Sequence, residues 1–153
     1  MKKIPLTQGK FAIVDNKDFE ELSKYKWKLL KTNTQCYALQ SGPRGIRLLM
    51  HRMLLNSPKG KVVDHINGNG LDNRRSNLRV CTQSQNMQNS GLHKNNTSGF
   101  KGVCLDKRRG KWIARIRIGN KRITTKQFNS PELAHEAYCE LSKLHHREYA
   151  KNK

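Results

Sequence analysis

LMHRMLLNSPKGKVVDHINGNGLDNRRSNLRVCTQSQNMQN, running from Leu49 to Asn89, carries the pattern from which the rest of the chain can be read. Lys61-Val62-Val63 is β-branched enough for a short strand, and Gly68, Gly70 and Asp72-Asn73 mark a long loop after it. Leu78-Arg79-Val80 predicts a returning strand. Thr82 with Gln85 three residues on is a capping-box pair, so a helix begins there and Asn86 falls in its first turn. A strand, loop, strand and helix in that order would bring Asp64, His65, Asn77 and Asn86 into one neighbourhood.

These side chains suit hydrolysis of a phosphodiester. Such a reaction needs a group to deprotonate water beside a polyanion, and histidine, with an ordinary pKa of roughly 6.5, is largely neutral and able to accept that proton. It also needs the growing charge neutralised, which an oxygen-ligated divalent cation does. His65 fits the first task, with Asn77 to orient it; Asp64 and Asn86 supply oxygens for the second. Asn-Gly and Asp-Asn pairs are also ordinary turn signals, and a histidine beside an aspartate is commonly a surface pair. Against that, Asp64 and Asp72 are the only carboxylates between Ser23 and Leu105, in a stretch otherwise rich in Lys and Arg. Asp72 reads as a brace for its own loop.

The segment resembles the HNH endonucleases, and its intervals resemble those of the phage intron-encoded homing branch. The resemblance implies a ββα-metal fold, Asp64 and Asn86 as metal ligands, His65 as general base and Asn77 as its orienter. With Asn86 in the last position this is the HNN variant, which favours magnesium or manganese over a zinc-like metal. It also implies double-stranded DNA as substrate, 5′-phosphate ends, and one active site per chain, so that a monomer on DNA nicks one strand and a double-strand break requires a second chain or sequential action.

Composition points to the same partner. The formal charge is +20 over 153 residues, and it divides evenly, with sixteen basic and six acidic side chains up to His93, and fifteen and five beyond. So large an excess calls for a polyanion, nucleic acid before a membrane surface. No apolar run approaches a membrane span and no signal peptide is visible, so a cytoplasmic protein is expected, and the resemblance implies that it is phage-encoded and acts inside a bacterial host. Cys36, Cys81, Cys104 and Cys139 form no C-x-x-C pair, which argues for reduced thiols and against structural zinc. His51 reads as packing or capping locally; His93, His135, His145 and His146 read as linker or helix-surface residues.

The punctuation predicts an α+β chain of two domains: residues 1–88 as scaffold plus nuclease, 89–97 as linker, and 98–153 as a DNA-binding module. In the last, Gly102 to Leu105 reads as a strand and Lys111 to Ile118 alternates with period two, placing Trp112, Ala114, Ile116 and Ile118 on one face and Lys111, Ile113, Arg115 and Arg117 on the other. Gly119-Asn120 turns into a third strand, Lys121 to Lys126. Ser130 caps a helix with Pro131 at its first position and an apolar stripe of Leu133, Ala134, Ala137, Tyr138, Leu141 and Leu144. This three-stranded antiparallel sheet on one helix resembles the plant ethylene-response-factor (Apetala) DNA-binding domain at Gly102-Val103, Trp112-Ile113-Ala114, Ile116, Phe128 and Ala134 to Tyr138. It departs from that family at Thr125-Lys126-Gln127 and at Arg147. The resemblance implies that Lys101, Arg115, Arg117, Arg122 and Thr124 face DNA; Arg74, Arg75, Arg108, Arg109 and Lys111 are further expected DNA contacts.

In the first fifty residues, Phe11 to Val14, Trp27 to Leu30 and Tyr37 to Leu39 read as strands and Asp15 to Tyr25 as a helix. They read as scaffold, with Lys24, Lys26, Lys28 and Lys31 as possible phosphate contacts. Taken together, the sequence predicts a metal-dependent homing endonuclease whose C-terminal module selects the site. The alternative is a non-catalytic, sequence-specific DNA-binding regulator.

Overall fold

The computed structural model describes residues 1–93, 95–119, 121–146 and 149–150. Asn120, half of the expected turn, and Arg147 lie outside the described residues. The chain is a mixed α and β protein that divides into two compact units, Met1–Asn86 and Met87–Lys153.

In the first unit, β1 (Lys2–Pro5) pairs antiparallel with β2 (Phe11–Val14), and α1 (Asn16–Ser23) follows. Next come β3 (Lys28–Lys31), β4 (Cys36–Ser41) and β5 (Arg47–Leu49), an antiparallel sheet in the order β3-β4-β5. Helix α2 (Met50–Leu55) leads to β6 (Val62–His65), which pairs antiparallel with β7 (Leu78–Cys81) before α3 (Gln83–Gln88). Strand β6 therefore runs on through Asp64 and His65, past the Lys61 to Val63 expected from β-branching alone. The capping box forms as the sequence predicts: Thr82 N donates to Gln85 Oε1 (2.8 Å) and Gln85 N to Thr82 Oγ1 (3.2 Å).

Alternation in β2 turns Ala12 and Val14 inward, both fully buried, against Leu22 of α1, Trp27, Met50 and Leu54 of α2, Val63 and Leu78. Trp27 fits because its Nε1 donates to the Leu22 carbonyl at 2.8 Å, satisfying the indole inside the core. Truncating Leu22 or Met50 to alanine would cost about 2–5 kcal/mol.

The loop from β6 to β7 is docked on this core. Ile13 N donates to Leu71 O (2.8 Å) and Asn73 N to Ile13 O (2.7 Å), so the loop extends β2 by a parallel bridge. Gly70 presses against the start of β4, where an added Cβ would lie 2.3 Å from the Cys36 carbonyl oxygen and 2.7 Å from the Tyr37 ring. A contact that close to backbone admits no side chain.

In the second unit, β8 (Val103–Asp106), β9 (Lys111–Ile118) and β10 (Lys121–Thr124) form an antiparallel sheet in the order β10-β9-β8, with α4 (Pro131–His146) packed on it. The third strand ends at Thr124, short of Lys126. Thr125 N instead donates to Ala114 O (3.0 Å), while Thr125 Oγ1 accepts from Ala114 N (2.9 Å). Ser130 caps α4, its Oγ accepting from Leu133 N at 3.3 Å.

Two expectations about faces are corrected. Helix α4 buries Ala134, Tyr138, Ser142 and His146, one every fourth residue, whereas Leu133 and Leu144 of the expected stripe are exposed. His146, expected on the helix surface, donates from Nε2 to the Arg117 carbonyl (3.1 Å), and Ser142 Oγ lies 3.5 Å from its Nδ1. These partners let two polar residues occupy core positions. Ile113 is buried too, on the β9 face that it shares with Lys111, Arg115 and Arg117, so that face is not uniformly cationic.

Candidate active site

Strand β6 carries Asp64 and His65 side by side, 5 % and 6 % exposed. Burial pulls the His65 imidazole below its ordinary pKa, while a hydrogen bond to Asn73 and the charges of Asp64 and Asp72 oppose that shift. A histidine so placed is neutral near pH 7, as a general base must be.

Asn73 stands beside the ring, its Oδ1 3.4 Å from His65 Nε2. An amide oxygen only accepts, so this contact uses the tautomer with its proton on Nε2. Asn73 is itself fully buried, held at its backbone by Ile13. The expected orienter, Asn77, does another job. Its Nδ2 donates to Asn67 Oδ1 (3.0 Å) and Asp72 O (2.8 Å), and its Oδ1 accepts from Asn67 N (2.9 Å). Asn77 thus closes the loop that delivers Asn73, one step removed from the imidazole. Sequence spacing alone could not separate two asparagines four residues apart.

Asp64 faces Arg79 across the hairpin, and Arg79 Nε and Nη2 reach its Oδ2 at 2.9 and 2.7 Å. Both side chains of this ion pair are largely buried, and Arg79 is a site residue that the sequence reading did not single out. Asn86 lies half-buried in α3, its amide N bonded to Thr82 O at 3.0 Å. Among the described residues, no three His, Cys, Asp or Glu side chains gather tightly enough to hold a metal. A cation here would rely on oxygens from one carboxylate and one amide, a donor set suited to a hard, well-hydrated ion.

Arg74 and Arg75, expected as DNA contacts, brace the loop. Arg74 Nε and Nη2 hold the two oxygens of Asp72 at 2.7 and 2.6 Å, which keeps that carboxyl below the usual range. Arg75 holds Asp18 with Nε (2.9 Å) and Nη2 (2.9 Å), and its backbone N donates to Asp15 Oδ2 (2.8 Å). Forked guanidinium–carboxylate pairs explain why arginine, not lysine, sits at both positions.

His51 of α2, expected to pack or cap locally, is a second histidine at the site. It is 5 % exposed, its ring centroid is 4.9 Å from that of His65, and burial pulls its pKa down to about 3. A depressed histidine keeps its full contribution to stability above the unfolded pKa near 6.5 and loses it as pH falls toward the folded value. At pH 5 the loss from His51 is about 2 kcal/mol. Thermal melts should therefore show a steep fall in stability between pH 6.5 and 4.5, with a shallower fall in His51→Phe; equal slopes would disprove the assignment.

In the C-terminal unit, the remaining expected DNA contacts divide. Arg115, Arg117, Arg122 and Thr124 are exposed, and the register places Arg115 opposite Thr124 and Arg117 opposite Arg122 on one face. Directly opposed like charges are destabilising in a sheet, which an anionic ligand would relieve. Arg108 and Arg109 are exposed on the β8–β9 turn, where Arg109 Nη1 lies 3.5 Å from Asp106 Oδ2. Lys101 is half-buried and donates to the Gln88 carbonyl; exposed Lys111 donates to Asn129 Oδ1.

Residues 56–88 match the HNH endonuclease family. The chain is 33% identical to protein 3.8 of Escherichia phage T7 over 88 residues, covering 58% of this chain and 73% of that protein. It is 34% identical over 98 residues to an uncharacterized HNH endonuclease of Acanthamoeba polyphaga mimivirus, covering 63% of this chain and 50% of that protein. No solved structure matches. The chain belongs to the family of phage T7 protein 3.8 and carries an HNH endonuclease domain.

Proposed function

We propose that this protein is a metal-dependent endonuclease that hydrolyses phosphodiester bonds of double-stranded DNA, acts as a monomer on DNA, and selects its site through the C-terminal sheet in the manner of a homing endonuclease. The observation that carries the reading is a buried His65 beside a buried Asp64, on a strand of a chain with net charge +20. His65 would take the proton from the attacking water, with Asn73 Oδ1 beside its Nε2. Asp64 and Asn86 would hold magnesium or manganese, which when bound stabilises the developing charge on the phosphate and the departing oxygen. HNH nucleases are generally divalent-metal dependent.

Supercoiled plasmid incubated with the protein and Mg²⁺ should be converted to nicked circles, and EDTA should stop the conversion. Binding without conversion in either Mg²⁺ or Mn²⁺ would favour the alternative, a non-catalytic regulator, for which the opposed Arg117–Arg122 pair speaks.

The sheet face has its own test. If Arg115 or Arg117 reads a guanine edge, replacing it with alanine should cost about 1–3 kcal/mol on the target site and little on random DNA in gel-shift titrations. Equal losses on both would make them phosphate contacts.

A further inference from the structure

We propose that Arg79 is the counter-ion that a divalent metal must displace from Asp64, so that its guanidinium sets how tightly the site takes the metal. The inference rests on the reading of Asp64 as a metal ligand, and it adds a residue that the sequence reading left without a role.

The register of the hairpin sets Asp64 opposite Arg79, between the pairs Val63–Val80 and His65–Leu78. Arg79 Nε and Nη2 both reach Asp64 Oδ2, at 2.9 and 2.7 Å. The Arg79 side chain is 15 % exposed, against 34 % and 40 % for Arg74 and Arg75, which brace the loop. That of Asp64 is 6 % exposed. This guanidinium therefore sits deeper than the other two, against the one carboxylate that the proposed metal would use.

With Arg79 in place, the donor set carries no net charge. Asp64 contributes one negative charge, Arg79 one positive charge, and Asn86 is a neutral amide. Asp72, whose charge His65 also feels, is held by Arg74 and Asn67. Among the described residues, no three His, Cys, Asp or Glu side chains gather to make up the deficit. A hard divalent cation is drawn to anionic oxygen, so it and the guanidinium compete for the same carboxylate. Two cations on one buried carboxylate repel each other where water screens them little. The metal binds as the Arg79 bonds to Oδ2 break, and the strength of those charged bonds is subtracted from its affinity. A buried ion pair is also a weak device for stability, since apolar residues of similar size often serve a fold as well or better. The hairpin pairs two valines one step away. The site, and not the fold, is the reason for an arginine at position 79.

The test uses Mn²⁺ alone, followed by electron paramagnetic resonance as it binds the whole chain without DNA. Arg79→Met, which keeps the stem and loses the charge, should bind Mn²⁺ about 10–100-fold more tightly than wild type, the worth of a hydrogen bond between charged groups. Arg79→Lys, a point charge without a fork, should fall between the two. Thermal melts establish that each variant is folded at the assay temperature, and Mg²⁺ should raise the melting temperature of Arg79→Met more than that of wild type. In NMR spectra of the wild-type protein, saturating Mg²⁺ should move the Arg79 Nε–H resonance as its bond to Oδ2 breaks. Equal or weaker Mn²⁺ binding by folded Arg79→Met overturns the proposal, because the guanidinium would then orient the carboxylate or leave the metal untouched. An Nε–H resonance unmoved by saturating Mg²⁺ overturns it too, whether or not Arg79→Met folds. Asp64→Asn separates the two kinds of failure. If it binds Mn²⁺ as wild type does, Asp64 is no ligand and the metal reading itself falls. If it loses the ion while Arg79→Met gains nothing, the ligand stands and only the counter-ion role falls.

Discussion

His65→Ala should lower plasmid nicking by about 10²–10⁴-fold while leaving DNA affinity within twofold of wild type. On this reading the imidazole acts on water, and neither His65 nor its neighbours His51, Tyr37 and Asn73 is among the exposed cationic residues proposed to meet phosphates. Removing it also removes a buried ring from a well-packed place, so the variant must be assayed well below its melting temperature. Asn73→Ala should cost less, because it frees the tautomer and tilt of His65 without deleting the base. The order of effects, His65 well above Asn73, is what a general base and its support require. If His65→Ala nicks at a rate comparable to wild type, His65 is not the base. If affinity falls in step with rate, the residue is part of the binding surface and the assignment fails in a different way.

Much of this site could be read in the sequence because its parts are local. Asp64 and His65 are adjacent, the hairpin and helix that follow obey turn and capping rules, and the capping box between Thr82 and Gln85 forms with both of its bonds. What could not be read depends on contacts across long separations. Arg75 meets Asp18 across 57 positions, and His51 and Tyr37 reach His65 from elements that no periodicity links to it. Within the loop, Asn67, Asn73 and Asn77 look alike in sequence. Which of them touches the imidazole follows from the docking of Leu71 and Asn73 on Ile13, a tertiary fact. In the second unit, period two gave the strand Lys111–Ile118, but which helix row is buried was decided by hydrogen bonds. His146 finds the Arg117 carbonyl, and so a histidine takes a place that hydrophobicity would have given to Leu144.

The second large effect is expected at Gly102, just before β8. Its φ of +73° is in the left-handed region, and a Cβ there would lie 2.2 and 2.3 Å from two carbons of the Tyr138 ring and 3.0 Å from the Arg115 carbonyl oxygen. Tyr138 cannot retreat easily, being 3 % exposed and packed on Ala114 and Ile116. Gly102→Ala thus combines a strained backbone with overpacking and should destabilise the C-terminal unit by about 3 kcal/mol or more. For a unit of this size that corresponds to a fall of more than about 10 °C in melting temperature. The strain is confined to the second unit, so calorimetry should show one transition falling and the other in place. Above the lowered transition, the variant should still nick plasmid, with weaker binding, a flatter salt dependence and poorer site preference, because the phosphate contacts proposed for the sheet would be lost with its fold. An unchanged melting profile would show that Gly102 does not approach Tyr138 this closely. If both transitions fall together, the two units depend on each other for stability. If site preference survives the melting of the second unit, selection resides in the first, and the paired arginines of the sheet serve only to hold DNA.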